Sequence, residues 1–98
     1  MDIKKELNGT ELKISIIGKL NTVTAPQLET EIKSSVAGIT DLILDFAELD
    51  YLSSAGLRVI LTAQQIMMKQ GKMVIRNVND TINEIFDVTG FIDILTIE

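Results

Sequence analysis

Leu42-Ile43-Leu44-Asp45-Phe46 is a nearly unbroken apolar run of strand length, and it constrains the fold more than any other segment. A strand with one wet face alternates apolar and polar residues; one that does not alternate is covered on both faces or paired at the centre of a sheet. From Leu57 to Met68 the apolar residues are too dense for one narrow stripe, and the span is too long for an ordinary strand, which predicts a helix ending at Gly71. Met73-Val74-Ile75 reads as the next strand. Asn79 or Asp80 then caps a helix carrying Ile82, Ile85 and Phe86, Gly90 ends it, and Ile94 to Ile97 forms a final strand. This is a β-α-β-α-β order with short connections, and each helix returns the chain across the sheet so that the strands run parallel.

The first half supplies the rest of the sheet. Ile3 to Leu7 and Leu12 to Ile17 flank Asn8-Gly9, a dipeptide that accepts the positive φ angles of a tight hairpin turn. Leu12, Ile14 and Ile16 alternate with Lys13 and Ser15, so this strand buries one face. Thr24 is placed to cap a helix with Pro26 in its first turn and Gln27 completing a capping box; Leu28, Ile32 and Val36 recur every four residues, and Gly38 supplies a stop. The expected fold class is α/β: a small mixed β-sheet, made of an N-terminal hairpin plus β-α-β-α-β, packed with α-helices. No Pro/Gly/Ser-rich linker or internal repeat divides residues 1–98, which read as one domain large enough for a core without metal or disulfide support.

Several function classes fall away on composition. The chain has no Cys and no His, so disulfides, thiolate zinc sites and Ser-His or Cys-His catalysis are excluded within it. Only carboxylates, lysines such as Lys13, Tyr51 and the serines remain as catalysts, and no pairing among them suggests a site, so no enzymatic activity is expected. Fourteen acidic against nine basic residues give a net charge of -5, which opposes binding to nucleic acid phosphates and to anionic lipid. Every apolar stretch is interrupted well before the length of a membrane span, and MDIKKELNGTELK has no signal-peptide core, so a cytoplasmic location is expected. Asp41, Asp45, Glu48 and Asp50 lie close together, but without Asp-x-Asp-x-Asp spacing they read as a solvated loop and strand ends rather than a metal site. Met67 and Met68 read as core and core-edge residues, and the carboxylates of the last twenty-one residues, with no Lys or Arg among them, read as an exposed acidic helix face or a surface for a basic partner.

The segment Asp50-Tyr51-Leu52-Ser53-Ser54-Ala55-Gly56-Leu57-Arg58 sets two serines at a helix start. Capping alone accounts for serine there, because its oxygen accepts a hydrogen bond from a free backbone N–H. The same free N–H groups, with the positive end of the helix dipole, also accommodate a phosphate attached to Ser53 or Ser54. Gly56 would leave room for the backbone of a partner or kinase to approach.

This loop resembles the signature of STAS domains, found in bacterial anti-sigma-factor antagonists (anti-anti-sigma factors) and attached to sulfate transporters. The family pattern Asp-Ser-Ser/Thr/Ala-Gly-Leu aligns with Ser53-Ser54-Ala55-Gly56-Leu57. Gly18-Lys19-Leu20-Asn21 with Thr24-Ala25 is similar to the family's Gly-x-Leu-Asp and Thr-Ala helix start, and the likeness extends through Gly71-Lys72-Met73 to Phe86-Asp87-Val88-Thr89-Gly90-Phe91. Two positions depart from it: Ser53 and Asn21 stand where the family commonly has Asp.

The resemblance implies a partner-switching protein that regulates transcription. Unphosphorylated, it would bind an anti-sigma factor with serine kinase activity and so release the sigma factor. The kinase would phosphorylate Ser54, with Ser53 a competing acceptor or a cap, and a serine phosphatase would reset the switch. Partner contact would involve Asn21, Thr22, Ser53, Ser54, Ala55, Gly56 and Arg58. No cofactor is expected on this chain, which lacks a phosphate-binding loop; ATP and Mg²⁺ belong to the kinase. The alternative of another class is a non-phosphorylated STAS regulatory subunit associated with a transporter.

Overall fold

The computed structural model describes residues 1–98. In chain order the elements are β1 (Asp2–Asn8), β2 (Glu11–Leu20), α1 (Ala25–Ser35), β3 (Asp41–Asp45), β4 (Leu49–Leu52), α2 (Ser54–Met68), β5 (Lys72–Arg76) and α3 (Asp80–Thr89), followed by a 3₁₀ turn at Phe91–Asp93. Strands β1, β2, β3 and β5 are neighbours in that order, and β4 pairs with the carboxyl end of β2. The β1–β2 hairpin is antiparallel; every other pairing is parallel. The expected α/β class with a mixed sheet is what the structure shows.

Helices cover one face of the sheet. Leu12, Ile14 and Ile16 from β2, Leu42 and Leu44 from β3, and Met73 and Ile75 from β5 join Leu28 and Ile32 of α1, Ile60, Ala63 and Met67 of α2, and Ile82 and Phe86 of α3 in one buried cluster. Phe46 and Phe86 meet with ring centroids 6.4 Å apart. The apolar run of β3 has a different explanation on the other face. Ile43 and Val74 are buried there but lie outside the main cluster. No helix covers them; they lie between cross-strand ion pairs, Lys13–Asp45 at 3.5 Å, Lys72–Asp41 at 3.6 Å and Arg76–Glu98 at 2.9 Å, whose aliphatic stems shield them.

Four local expectations are corrected. The hairpin loop is Gly9-Thr10, with Asn8 paired to Glu11, and Gly9 alone takes a positive φ, the order of a type II′ turn. The Leu49–Leu52 segment is a strand; it escapes the alternation rule because its buried residues are three apart and a register shift between Gly18 and Lys19 of β2 absorbs the irregularity. Helix α2 begins at Ser54, at the two serines, but ends at Met68, and Gly71 serves another purpose, since a Cβ there would collide with the Thr40 carbonyl. The final strand shrinks to a single bridge between Ile75 and Ile97, because the 3₁₀ turn uses up the chain and only its last residues reach β5.

Candidate partner-binding site

In an open parallel sheet the carboxyl ends of the strands, where loops turn into helix N-termini, are the usual place for a site. Here β2 and β4 end side by side, with Leu20 paired to Leu52. The Ser53 N–H donates to the Leu20 carbonyl at 2.9 Å, which brings the 21–24 connection and the start of α2 to one edge. Of the residues named from the sequence, Asn21, Thr22, Ser53, Ser54, Ala55 and Gly56 fall on these two loops, and Arg58 lies one helical turn beyond Ser54 on the same face.

The two serines do different work. Ser53 is half-buried with extended backbone, and its Oγ accepts from the Gly56 N–H at 3.3 Å, so it is the N-cap of α2. Ser54 is the first helical residue and is exposed, with its hydroxyl left out of the cap. The geometry separates structural serine from accessible serine, which the sequence left open.

The connection after β2 is held by Asn21 and Thr24 together. Asn21 Oδ1 accepts from the Val23 and Thr24 N–H groups, both at 3.0 Å. Thr24 occupies the cap position of α1 but turns its hydroxyl backward, donating to the Lys19 carbonyl at 2.8 Å and accepting from the Asn21 N–H at 2.9 Å. No side chain caps α1, so the capping box with Gln27 does not form. Asn21 and Ser53 thus make the turn and cap bonds that a carboxylate at either position could make, while leaving this edge two negative charges lighter. The exposed cations Lys19 and Arg58 are there without an ion-pair partner.

Gly56 is corrected in role. It is buried against the sheet, and a Cβ would meet Leu52 Cδ1 at 2.7 Å and Leu20 Cγ at 2.8 Å, so its missing side chain makes room for the core rather than for a partner. Ala55 is half-buried and Thr22 exposed. Sequence reasoning passed over, as contact residues, Val23, 85% exposed in the connection after β2, and Tyr51, 51% exposed on β4. An apolar residue in the middle of the polar Asn21–Thr24 turn was the signal for the first; the unrecognised strand hid the second.

Of the clustered carboxylates, Asp41 and Asp45 are occupied elsewhere. Asp45 accepts from Asn77 Nδ2 at 3.0 Å and the Ala47 N–H at 2.9 Å and pairs with Lys13. Burial opposes its ionisation, but these donors and the lysine outweigh it and hold the carboxyl below its ordinary value. Asp41 pairs with Lys72, and no group of three ligating side chains is placed to hold a metal ion. Met67 is in the core as expected, whereas Met68 is fully on the surface. No helix is long and apolar enough to cross a membrane.

Comparison with known proteins fits this geometry. The profile of the STAS domain matches residues 2–98. A Bordetella bronchiseptica protein named anti-sigma factor antagonist BtrV is 39% identical over 82 residues, covering 82% of this chain and 71% of its own. The anti-sigma-B factor antagonist of Bacillus subtilis is 26% identical over 98 residues, covering 99% of this chain and 88% of its own. Among solved structures, an anti-sigma factor antagonist from Mycobacterium paratuberculosis superposes with a TM-score of 0.89 at 22% identity, over 98% of this chain and 83% of that one. With the family match running over residues 2–98 and the relatives matched along most of their length, the chain belongs to the STAS domain family.

Proposed function

We propose that this chain is an anti-sigma factor antagonist whose Ser54 edge binds the anti-sigma factor, and that phosphorylation of Ser54 breaks the complex. The observation that carries the reading is the exposed Ser54 hydroxyl at the first position of α2, beside a capping Ser53 and the Asn21–Thr24 connection. The relatives that match across most of the chain carry the name of antagonists, which supports the partner class. The chain itself does no chemistry in this scheme. The anti-sigma factor brings the kinase activity with its ATP and Mg²⁺, and a serine phosphatase reverses the modification.

The physical basis of the switch is charge. A phosphate adds about -1.5 to -2 charge at pH 7, and the helix N-terminus stabilises it by about 0.3–1 kcal/mol. Covering that phosphate with a partner that lacks a matching Arg or Lys costs more, through overlap and desolvation. The test is phosphate incorporation by the purified cognate anti-sigma factor with ATP and Mg²⁺, read by intact mass. One phosphate on wild type and on Ser53→Ala, with none on Ser54→Ala, is the expected result. Incorporation lost in Ser53→Ala but kept in Ser54→Ala overturns the assignment, and equal binding of wild type and Ser54→Asp to the anti-sigma factor overturns the switch. The transporter-associated alternative predicts no incorporation at either serine.

A further inference from the structure

The acid excess of this protein is concentrated in one segment. Residues 77–98 hold Asp80, Glu84, Asp87, Asp93 and Glu98 with no Lys or Arg, and these five account for the whole surplus of acid over base in the chain. Glu98 is neutralised by Arg76, but Asp80, Glu84, Asp87 and Asp93 take part in none of the five ion pairs; Asp2, Glu6, Glu11, Glu48 and Asp50 are outside them too, spread over β1, β2 and the β4 region. The first four are grouped on α3 and the turn after it.

The same helix carries apolar surface where a solvated helix would be polar. Ile82 and Phe86 face the core, and Ile85 is half-buried at its margin. Val88, which should lie on the water side, is 80% exposed, and Thr81, Glu84, Ile85, Val88 and Thr89 line a shallow groove of about 290 Å³. Spacing of three, four and seven puts Thr81, Ile85 and Val88 on one stripe, with Glu84 beside it and Asp80 and Asp87 beyond. Ile92 and Ile94 continue the exposed apolar surface past the end of the helix.

We infer that this face of α3 docks a cationic amphipathic helix of a partner protein, the aliphatic stripe of that helix lying on Ile85 and Val88 and its Lys or Arg residues reaching Glu84, Asp80 and Asp87. Charge complementarity selects the occupant. Four unpaired carboxylates repel anionic lipid and nucleic acid, while a helix with a basic rim gains both long-range attraction and apolar burial. The site is separate from the Ser54 edge. Helix α3 leaves the carboxyl end of β5 and runs back, and the segment after it lies parallel to β5 again, so Val88, near the end of α3, is on a different element and directed away from the carboxyl edge where Ser54 begins α2. A partner held here stays bound whichever state Ser54 is in, giving the protein a constitutive attachment beside its switched one.

The test is titration of the full chain, ¹⁵N-labelled, with a synthetic 15-residue helical peptide carrying Leu at positions spaced four and seven apart and Lys on both flanks. A peptide with Glu in place of Lys is the control. Amide shifts centred on Thr81, Glu84, Ile85, Val88 and Thr89, a Kd weakened at least about tenfold in Val88→Lys and in Glu84→Lys with Asp87→Lys, and no change in Ser54→Asp support the proposal. Because these side chains are exposed, unchanged thermal melting shows that the variants remain folded. Shifts centred on the Ser54 edge, equal binding of the Glu peptide, or concentration-dependent self-association abolished by Val88→Lys, which would make a second copy the occupant, each overturn it.

Discussion

At the scale of single residues, small side chains at the start of α2 have opposite tolerances. Ser53→Ala removes the oxygen that accepts from the Gly56 N–H, and is expected to cost about 0.5–2 kcal/mol of stability in chemical denaturation. Ser54→Ala changes an exposed side chain outside the cap and should stay within about 0.5 kcal/mol of wild type. That difference in denaturation midpoint is independent of any partner, and equal costs would show that both hydroxyls are structural. Gly56→Ala gains about 0.8–1 kcal/mol of helix propensity, yet its Cβ would press on Leu52 and Leu20, an overpacking cost of about 1–3 kcal/mol. The expected balance is a net loss of stability. Because Leu20 precedes Asn21, amide shifts in the 21–24 connection should accompany it.

Between elements, Asp45 is the tie that binds the end of β3 to β2 through Lys13 and to the turn after β5 through Asn77, a residue that itself sits at φ 59 where Asn is tolerated. Its carboxyl is held below the ordinary value in the folded protein, so the folded state prefers it ionised. The stability it contributes is therefore complete above about pH 4, the unfolded value, and is lost as the pH falls through the lower, folded value. Asp45→Asn should lower stability at neutral pH and flatten the acid limb of a denaturation-versus-pH series; an unchanged acid limb would place the acid sensitivity in other carboxylates. Helix α3 depends on Phe86 against Phe46, and Phe86→Ala is expected to cost about 3–5 kcal/mol, enough to release α3 in hydrogen exchange before the sheet opens.

For the whole molecule, the switch we propose would need a charge change and no rearrangement, because Ser54 is already at the surface. Ser54→Asp should melt within a few degrees of wild type while partner affinity falls, and charge reversal at Arg58 should weaken partner binding more than charge reversal at Lys4. Equal effects would move the interface away from α2. Much of this protein was legible in its sequence: the hairpin alternation at Leu12, Ile14 and Ile16, the helix periods, and the parallel order all follow from local periodicity and chain return, which short segments encode by themselves. The helix start at the two serines was legible too, as a local element. What only the tertiary structure decided depends on residues far apart in the chain. Whether Ser53 or Ser54 is the accessible hydroxyl depends on where the Leu20–Leu52 pairing begins the helix. Gly56 and Gly71 look like surface or helix-end glycines until Leu20, Leu52 and Thr40 are brought against them. Strand β4 exists only because a register shift in β2 accommodates it, and the Ile94 to Ile97 segment fails to become a strand because the preceding turn leaves too little chain to reach β5. Periodicity reports which face of a segment is apolar, but close approach, register and exposure are set by the neighbour that the fold delivers.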